Sequence, residues 1–262
     1  ARVPAGALPE ASATTLLEEE YADSVLADLR EDHVVDDGSR NYYLLLDRFS
    51  RLAAASGVNP DDWRIYLFDA PEVVDLRAIP GNTLFVWSGL FDVIETPDEL
   101  SGLLACELAH GLARHSDPVE FGLGTALMVG LTDIAASVGI MVLTQGMVAV
   151  SGTGMTRWLY VEATDLDELD RVYDQQQLEE MADIALLVLA NAGYAPDGLL
   201  GFWQRAAADP ALEKRLQRLH RKLPPGERIA LLESAMSRQV TQPASEAVDD
   251  EVADAYPGSP WL

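Results

Sequence analysis

The sequence predicts an α+β protein, mainly helical, with one small β-section set between helices. Three observations lead there. Apolar residues recur at helical spacing through 12–30 and 40–55. A single stretch, 63–87, alternates instead and is rich in β-branched and aromatic residues. Everything after Gly89 reads as helix again, punctuated by Gly and Pro stops. With 262 residues, 48% of them hydrophobic, the chain can bury a substantial core.

In chain order, residues 1–10 carry Pro4 and Pro9 and read as a loose leader. The chain opens on Ala1 rather than Met, which reads as a start after a removed signal, an anchor or a chosen boundary; no signal-peptide pattern is present. From Ser12 to Arg30, Leu16, Leu17, Tyr21, Val25, Leu26 and Leu29 form a helical stripe, with Glu18, Glu19 and Glu20 expected on the exposed side. A second helix is expected from Arg40 to Ala55, stopping at Ser56-Gly57. Trp63–Phe68, Val73–Ile79 and Thr83–Trp87 read as strands, the last two joined by a Pro80-Gly81-Asn82 turn.

The next helix has the clearest boundaries. Thr96 suits its N-cap, Pro97 its first position, and Glu99 would complete a capping box. Leu100, Leu104, Leu108, Gly111 and Leu112 form one apolar stripe, and Leu103, Cys106, His110 and Ala113 lie roughly opposite. A helix apolar on both sides is buried on both sides. Glu107 and His110 are therefore ionisable groups in a core-like helix, and such groups need partners.

Farther on, 125–150 is apolar but contains Asp133 and Gln145, so a buried helical hairpin or membrane-facing flap is expected rather than a span. Asp165, Asp167, Glu168 and Asp170 read as a solvated charge run. Helices are expected at Gln175–Ala192, Asp197–Ala208 and about Pro225 to Arg238. From Gln239 the sequence is acidic and lacks periodicity, as in a flexible tail. The organisation predicted is a leader and helix over 1–39, one domain over 40–238, and the tail over 239–262.

The formal charge of -25, with only Lys214 and Lys222 as lysines, repels phosphate backbones and anionic headgroups, so nucleic acid is not an expected partner. A single cysteine excludes an internal disulfide framework.

That cysteine stands in Cys106-Glu107-Leu108-Ala109-His110, one residue away from H-E-x-x-H, in which two imidazoles one helical turn apart hold zinc and the Glu between them is a general base. Together with Pro80-Gly81-Asn82-Thr83-Leu84-Phe85-Val86, Gly89-Leu90, Asp98-Glu99-Leu100, Arg114-His115-Ser116, Ala192-Gly193-Tyr194-Ala195-Pro196, Phe202-Trp203 and Glu227-Arg228-Ile229, this run resembles the HtpX/Oma/Ste-type zinc metallopeptidases, which are gluzincins. The similarity covers about 40–238. It implies a zincin-like fold with the small sheet beside the motif helix. It also implies zinc as cofactor, Glu107 as catalytic base, Cys106, His110 and Glu180 as metal ligands, and a polypeptide substrate or client. A periplasmic or membrane-associated setting and peripheral membrane contact through 125–150 follow from the same resemblance. The family segment reading E-x-E-A-D meets Glu179-Glu180-Met181-Ala182-Asp183 here. Anchoring on Ala182-Asp183 would put Met181 at the ligand position. Anchoring without a gap on Ala192-Gly193-Tyr194 puts Glu180 there, and it is preferred because a one-residue deletion turns a helix by about 100°.

The resemblance also shows departures. Cys106 replaces an imidazole, Ala182 a supporting Asp, Gln175 an Arg, and Lys222-Leu223 a His-Pro pair. Cys106 and His110 at i and i+4 face one way and can meet one metal. Cys106 as ligand and Cys106 as buried filler stand on equal terms. Arg114 and His115 read as structural. Two functions stay open: a pseudopeptidase that binds extended or misfolded chains with weak or no cleavage, and an active zinc metalloendopeptidase with a Cys/His/Glu site.

Overall fold

The structure is a computed structural model that describes residues 3, 6–10, 13–115, 173–220 and 223–240, with the backbone of three strands between 141 and 160. Helix α1, Leu16–Asp32, starts at Thr15, whose hydroxyl accepts from Glu18 N–H while the Glu18 carboxylate returns to Thr15 N–H. The three-residue strand β1, Val34–Asp36, follows, then α2, Arg40–Ala55, capped by Ser39. Strands β2 (Arg64–Asp69), β3 (Leu76–Ile79) and β4 (Thr83–Trp87) complete a sheet ordered β1-β2-β4-β3. Arg64 lies opposite Thr83 in the parallel β2/β4 pair, and Leu76 opposite Val86 in the antiparallel β3/β4 pair. Among the described residues, strand β3 is therefore an edge.

The sheet separates two apolar layers, because successive side chains alternate between its faces. Phe68, Phe85, Trp87 and Ile79 meet Tyr21, Val25, Leu26 and Leu29 of α1. Leu67, Leu84, Val86, Leu76 and Ala78 face the main core with α2 and the motif helix α3, Pro97–Leu112. Helix α3 is the centre of that core and packs on α2, on β3, on α4 (Gln175–Asn191) and on α5 (Asp197–Ala208). Every residue of α3 from Glu99 to His110 is buried, as its two-sided apolar pattern requires. Gly102 permits the close approach of α5: a Cβ there would lie 2.5 Å from Leu199 Cβ. Two short helices, α6 (Pro210–Arg215) and α7 (Gln217–His220), lead to α8, Pro225–Val240, which packs on α4 and α5.

The fold expected from the sequence, mainly helical with a small sheet beside the motif helix, is the one observed, and several details differ. Glu18 is buried rather than exposed, because it closes the α1 cap and pairs with Arg114. Thr96 caps α3 as expected, its hydroxyl accepting from Glu99 N–H at 3.2 Å, but the Glu99 carboxylate turns to Glu95 N–H at 2.7 Å and Arg205 at 2.8 Å instead of completing the box. The expectation of helix throughout after Gly89 is overturned by a second, antiparallel sheet of β5 (Met141–Thr144), β6 (Met147–Gly152) and β7 (Met155–Tyr160). A helical hairpin over 125–150 is excluded for 141–144 and 147–150, which are paired antiparallel strands with Thr144 opposite Met147. Short apolar runs do not distinguish strand from buried helix by periodicity alone. Residues 116–140, the 165–170 charge run and the tail from 241 lie outside the described residues. Among the described residues no helix is long and apolar enough to cross a membrane.

Candidate active site

Helix α3 carries Cys106, Glu107 and His110 in its last two turns, all three buried. Glu107 points to the sheet, where its Oε2 accepts the backbone N–H of Ala78 on edge strand β3 at 2.8 Å. Cys106 lies one turn before His110 and belongs to the main core cluster.

His110 meets side chains from just beyond the end of α3 and from the residue before the cap of α4. Its Nδ1 lies 2.9 Å from Nδ1 of His115, and the Nε2 of His115 lies 3.2 Å from Oε2 of Glu180 on α4. Tyr173, just before α4, stacks on the His110 ring with centroids 3.8 Å apart and planes 14° from parallel. The second carboxylate oxygen of Glu180 accepts the backbone N–H of Val3. The structure thus brings His110 and Glu180 together through His115, and packs Met181 and Ala182 into the apolar core. Gln175, in the first turn of α4, bonds Glu179 at 3.0 Å in an exposed position, and Lys222 lies outside the described residues.

The placement of His115 depends on how α3 ends. Arg114 has φ 53, in the left-handed region where helices usually place glycine. That conformation is disfavoured for a residue with Cβ by about 1–2 kcal/mol. It folds the chain back so that His115 N–H donates to His110 C=O at 3.0 Å and the two rings meet. The Arg114 guanidinium is held by Glu18 of α1. From the other side, the Gln177 amide reaches His115 C=O at 3.4 Å, and Asp174 caps α4 by accepting Gln177 N–H at 2.8 Å. The His115 side chain is 4% exposed, and this burial holds its imidazole below the usual histidine range although Glu180 and Asp174 pull the other way.

Sequence reasoning gave His115 no chemical role and passed over Tyr173 and Ala78. Five residues beyond His110, His115 is out of helical phase, and no glycine at 114 announces the reversal that brings it back. Among the described residues, no three His, Cys, Asp or Glu side chains converge in the arrangement that grips a metal ion. The donor types present, thiol, imidazole and carboxylate, all buried and two of them one turn apart on one helix, are types that zinc accepts.

The sequence matches Peptidase family M48 over residues 44–223. It is 24% identical over 190 residues to the mitochondrial metalloendopeptidase OMA1 of Schizosaccharomyces pombe, an alignment covering 66% of this chain and 50% of that protein. To the mitochondrial metalloendopeptidase OMA1 of Saccharomyces cerevisiae it is 26% identical over 158 residues, covering 60% of this chain and 39% of that protein. The chain therefore spans half or less of the length of these relatives.

Proposed function

The chain belongs to Peptidase family M48, and from that premise we propose that it is a metallopeptidase-like protein with a degenerate zinc site. On this reading it binds extended or misfolded polypeptide and hydrolyses it slowly or not at all. The observation that carries the proposal is Cys106, standing one turn before His110 on a buried helix where the H-E-x-x-H pattern has an imidazole.

Cys106, His110 and Glu180 would hold the metal. Bound zinc supplies polarisation of a carbonyl and acidification of a water. Two imidazoles and a carboxylate leave the divalent ion one net positive charge, whereas thiolate, imidazole and carboxylate cancel it. Cys106 thereby weakens both effects while still offering a firm ligand. Edge strand β3 is where an extended polypeptide would add as a further strand. Glu107 stands beside that strand, held on Ala78. This retained carboxylate, ready to take a proton, favours the second reading, an active zinc metalloendopeptidase with a Cys/His/Glu site.

The test is zinc content by elemental analysis of wild type and Cys106→Ala, with binding and cleavage of denatured casein by wild type and Glu107→Gln. The proposal expects near-stoichiometric zinc lost in Cys106→Ala, and casein binding unaffected by Glu107→Gln, with little cleavage. Rapid cleavage abolished by Glu107→Gln would establish the active reading instead, and a protein that neither binds casein nor holds zinc would defeat both.

A further inference from the structure

We propose that residues 3–10 are an intramolecular ligand of the candidate site, an autoinhibitory strap that lifts before another polypeptide can reach Glu180 and the end of α3. The inference rests on the polypeptide-binding reading for its purpose and on the contacts of the strap for its content.

The stretch Val3-Pro4-Ala5-Gly6-Ala7-Leu8-Pro9-Glu10 suits a segment held by another surface rather than by itself. Its two prolines remove backbone donors and oppose helix, and none of its described residues lies in a helix or strand. On sequence alone it reads as a loose leader, yet the structure seats it. Val3 and Leu8 pack against the main core cluster, and Ala7, Leu8 and Pro9 are half-buried. Between the two anchors Gly6 has φ 77, a left-handed conformation that glycine adopts without strain.

The two ends of the strap lie on the candidate site and beside it. Val3 N–H donates to Oε1 of Glu180, the oxygen that His115 leaves open. At the other end, Glu10 lines a cleft with Trp63, Asn82, Gly111 and Arg114, where α3 finishes. The chain that follows is fastened at the same place, because Glu18 closes the Thr15 cap of α1 and pairs with Arg114. The strap therefore runs from α4 to the end of α3. Its contacts are those of a bound peptide: a main-chain N–H on a buried carboxylate and apolar side chains seated on the core. So few contacts hold it reversibly, since a segment with little buried apolar surface opens at small cost. Attachment to α1 compensates, because a short tether gives an effective concentration in the mM range. A strap seated in about nine of ten molecules weakens the binding of a competing polypeptide about tenfold.

The test uses the full chain and, as probe, a synthetic peptide with the sequence of residues 1–12. Leu8→Asp places a charge at an apolar anchor, and Val3→Pro removes the N–H given to Glu180; the two act at separate contacts. In 15N-valine spectra, the Val3 amide signal is identified by its loss in Val3→Pro. It should lie away from the random-coil position in wild type and move to it in Leu8→Asp. The peptide should bind both variants at least about tenfold more tightly than wild type, and should displace denatured casein from them. A random-coil Val3 amide in wild type overturns the proposal. So does peptide binding that is absent from both variants or equal in all three proteins, and so does casein that stays bound beside the peptide. If casein binds none of the three while the peptide prefers the variants, the polypeptide-binding reading of the preceding section fails and the seat of the strap stands.

Discussion

The two ionisable groups of α3, three residues apart on neighbouring positions of the helix surface, are held in contrasting ways. Glu107 rests on a backbone N–H of β3, a strand held in register by its pairing with β4. His110 rests on His115, which rests on Glu180, and the chain adopts a disfavoured backbone at Arg114 to complete the link. A group held by the main chain follows from the fold, and stays placed as long as the sheet does. A group held by a succession of side chains depends on each of them.

Substitutions from each side can break or sharpen this contrast. The largest loss should come from Glu180→Leu, which leaves both His115 Nε2–H and Val3 N–H without their acceptor in a buried setting, about 2–4 kcal/mol by urea unfolding. Glu180→Gln, which keeps an acceptor, should recover most of that. On the sheet side, Glu107→Leu removes the acceptor of Ala78 N–H, and a loss of about 1–3 kcal/mol is expected. Glu107→Gln should fall within about 1 kcal/mol of wild type, since its amide oxygen can still accept. If Glu107→Leu proved costlier than Glu180→Leu, the contrast between the two sides would have to be reversed. Thr96→Ala removes the N-cap that sets where α3 begins, and should lower stability by about 1 kcal/mol without affecting the His110 imidazole signals. Arg114→Gly should show the smallest net change: relief of the left-handed strain, about 1 kcal/mol, opposes loss of the partner that Glu18 now has. A loss well above that would mean that the Glu18 link, rather than the backbone, controls the reversal.

Much of the fold was legible because the relevant signals are local. Ser39 and Ser56-Gly57 bound α2, and the observed Arg40–Ala55 agrees with the expected limits. Thr83–Trp87 was equally plain, a β-rich run following a Pro-Gly-Asn turn. Strand β1 was missed because Val34–Asp36 is too short to show alternation. Strands β5 to β7 were missed because their apolar runs suit either a buried strand or a buried helix. In the site, the spacing of Cys106, Glu107 and His110 was legible because a helix converts sequence intervals directly into angles. The role of His115 was not. It depends on a left-handed turn at a residue type that rarely makes one, and on a carboxylate far away in sequence on α4.

His115 and Tyr173 close on the same imidazole from opposite ends of the stretch 116–172. Two residues far apart in sequence thus fasten the end of α3 and the start of α4 to one ring, and the entropy of such a closure grows only with the logarithm of the separation, about 0.6 kcal/mol for each doubling. Loss of the His110 ring would therefore release both helix ends at once, so that a single imidazole acts as a rivet between two helices as well as a candidate ligand.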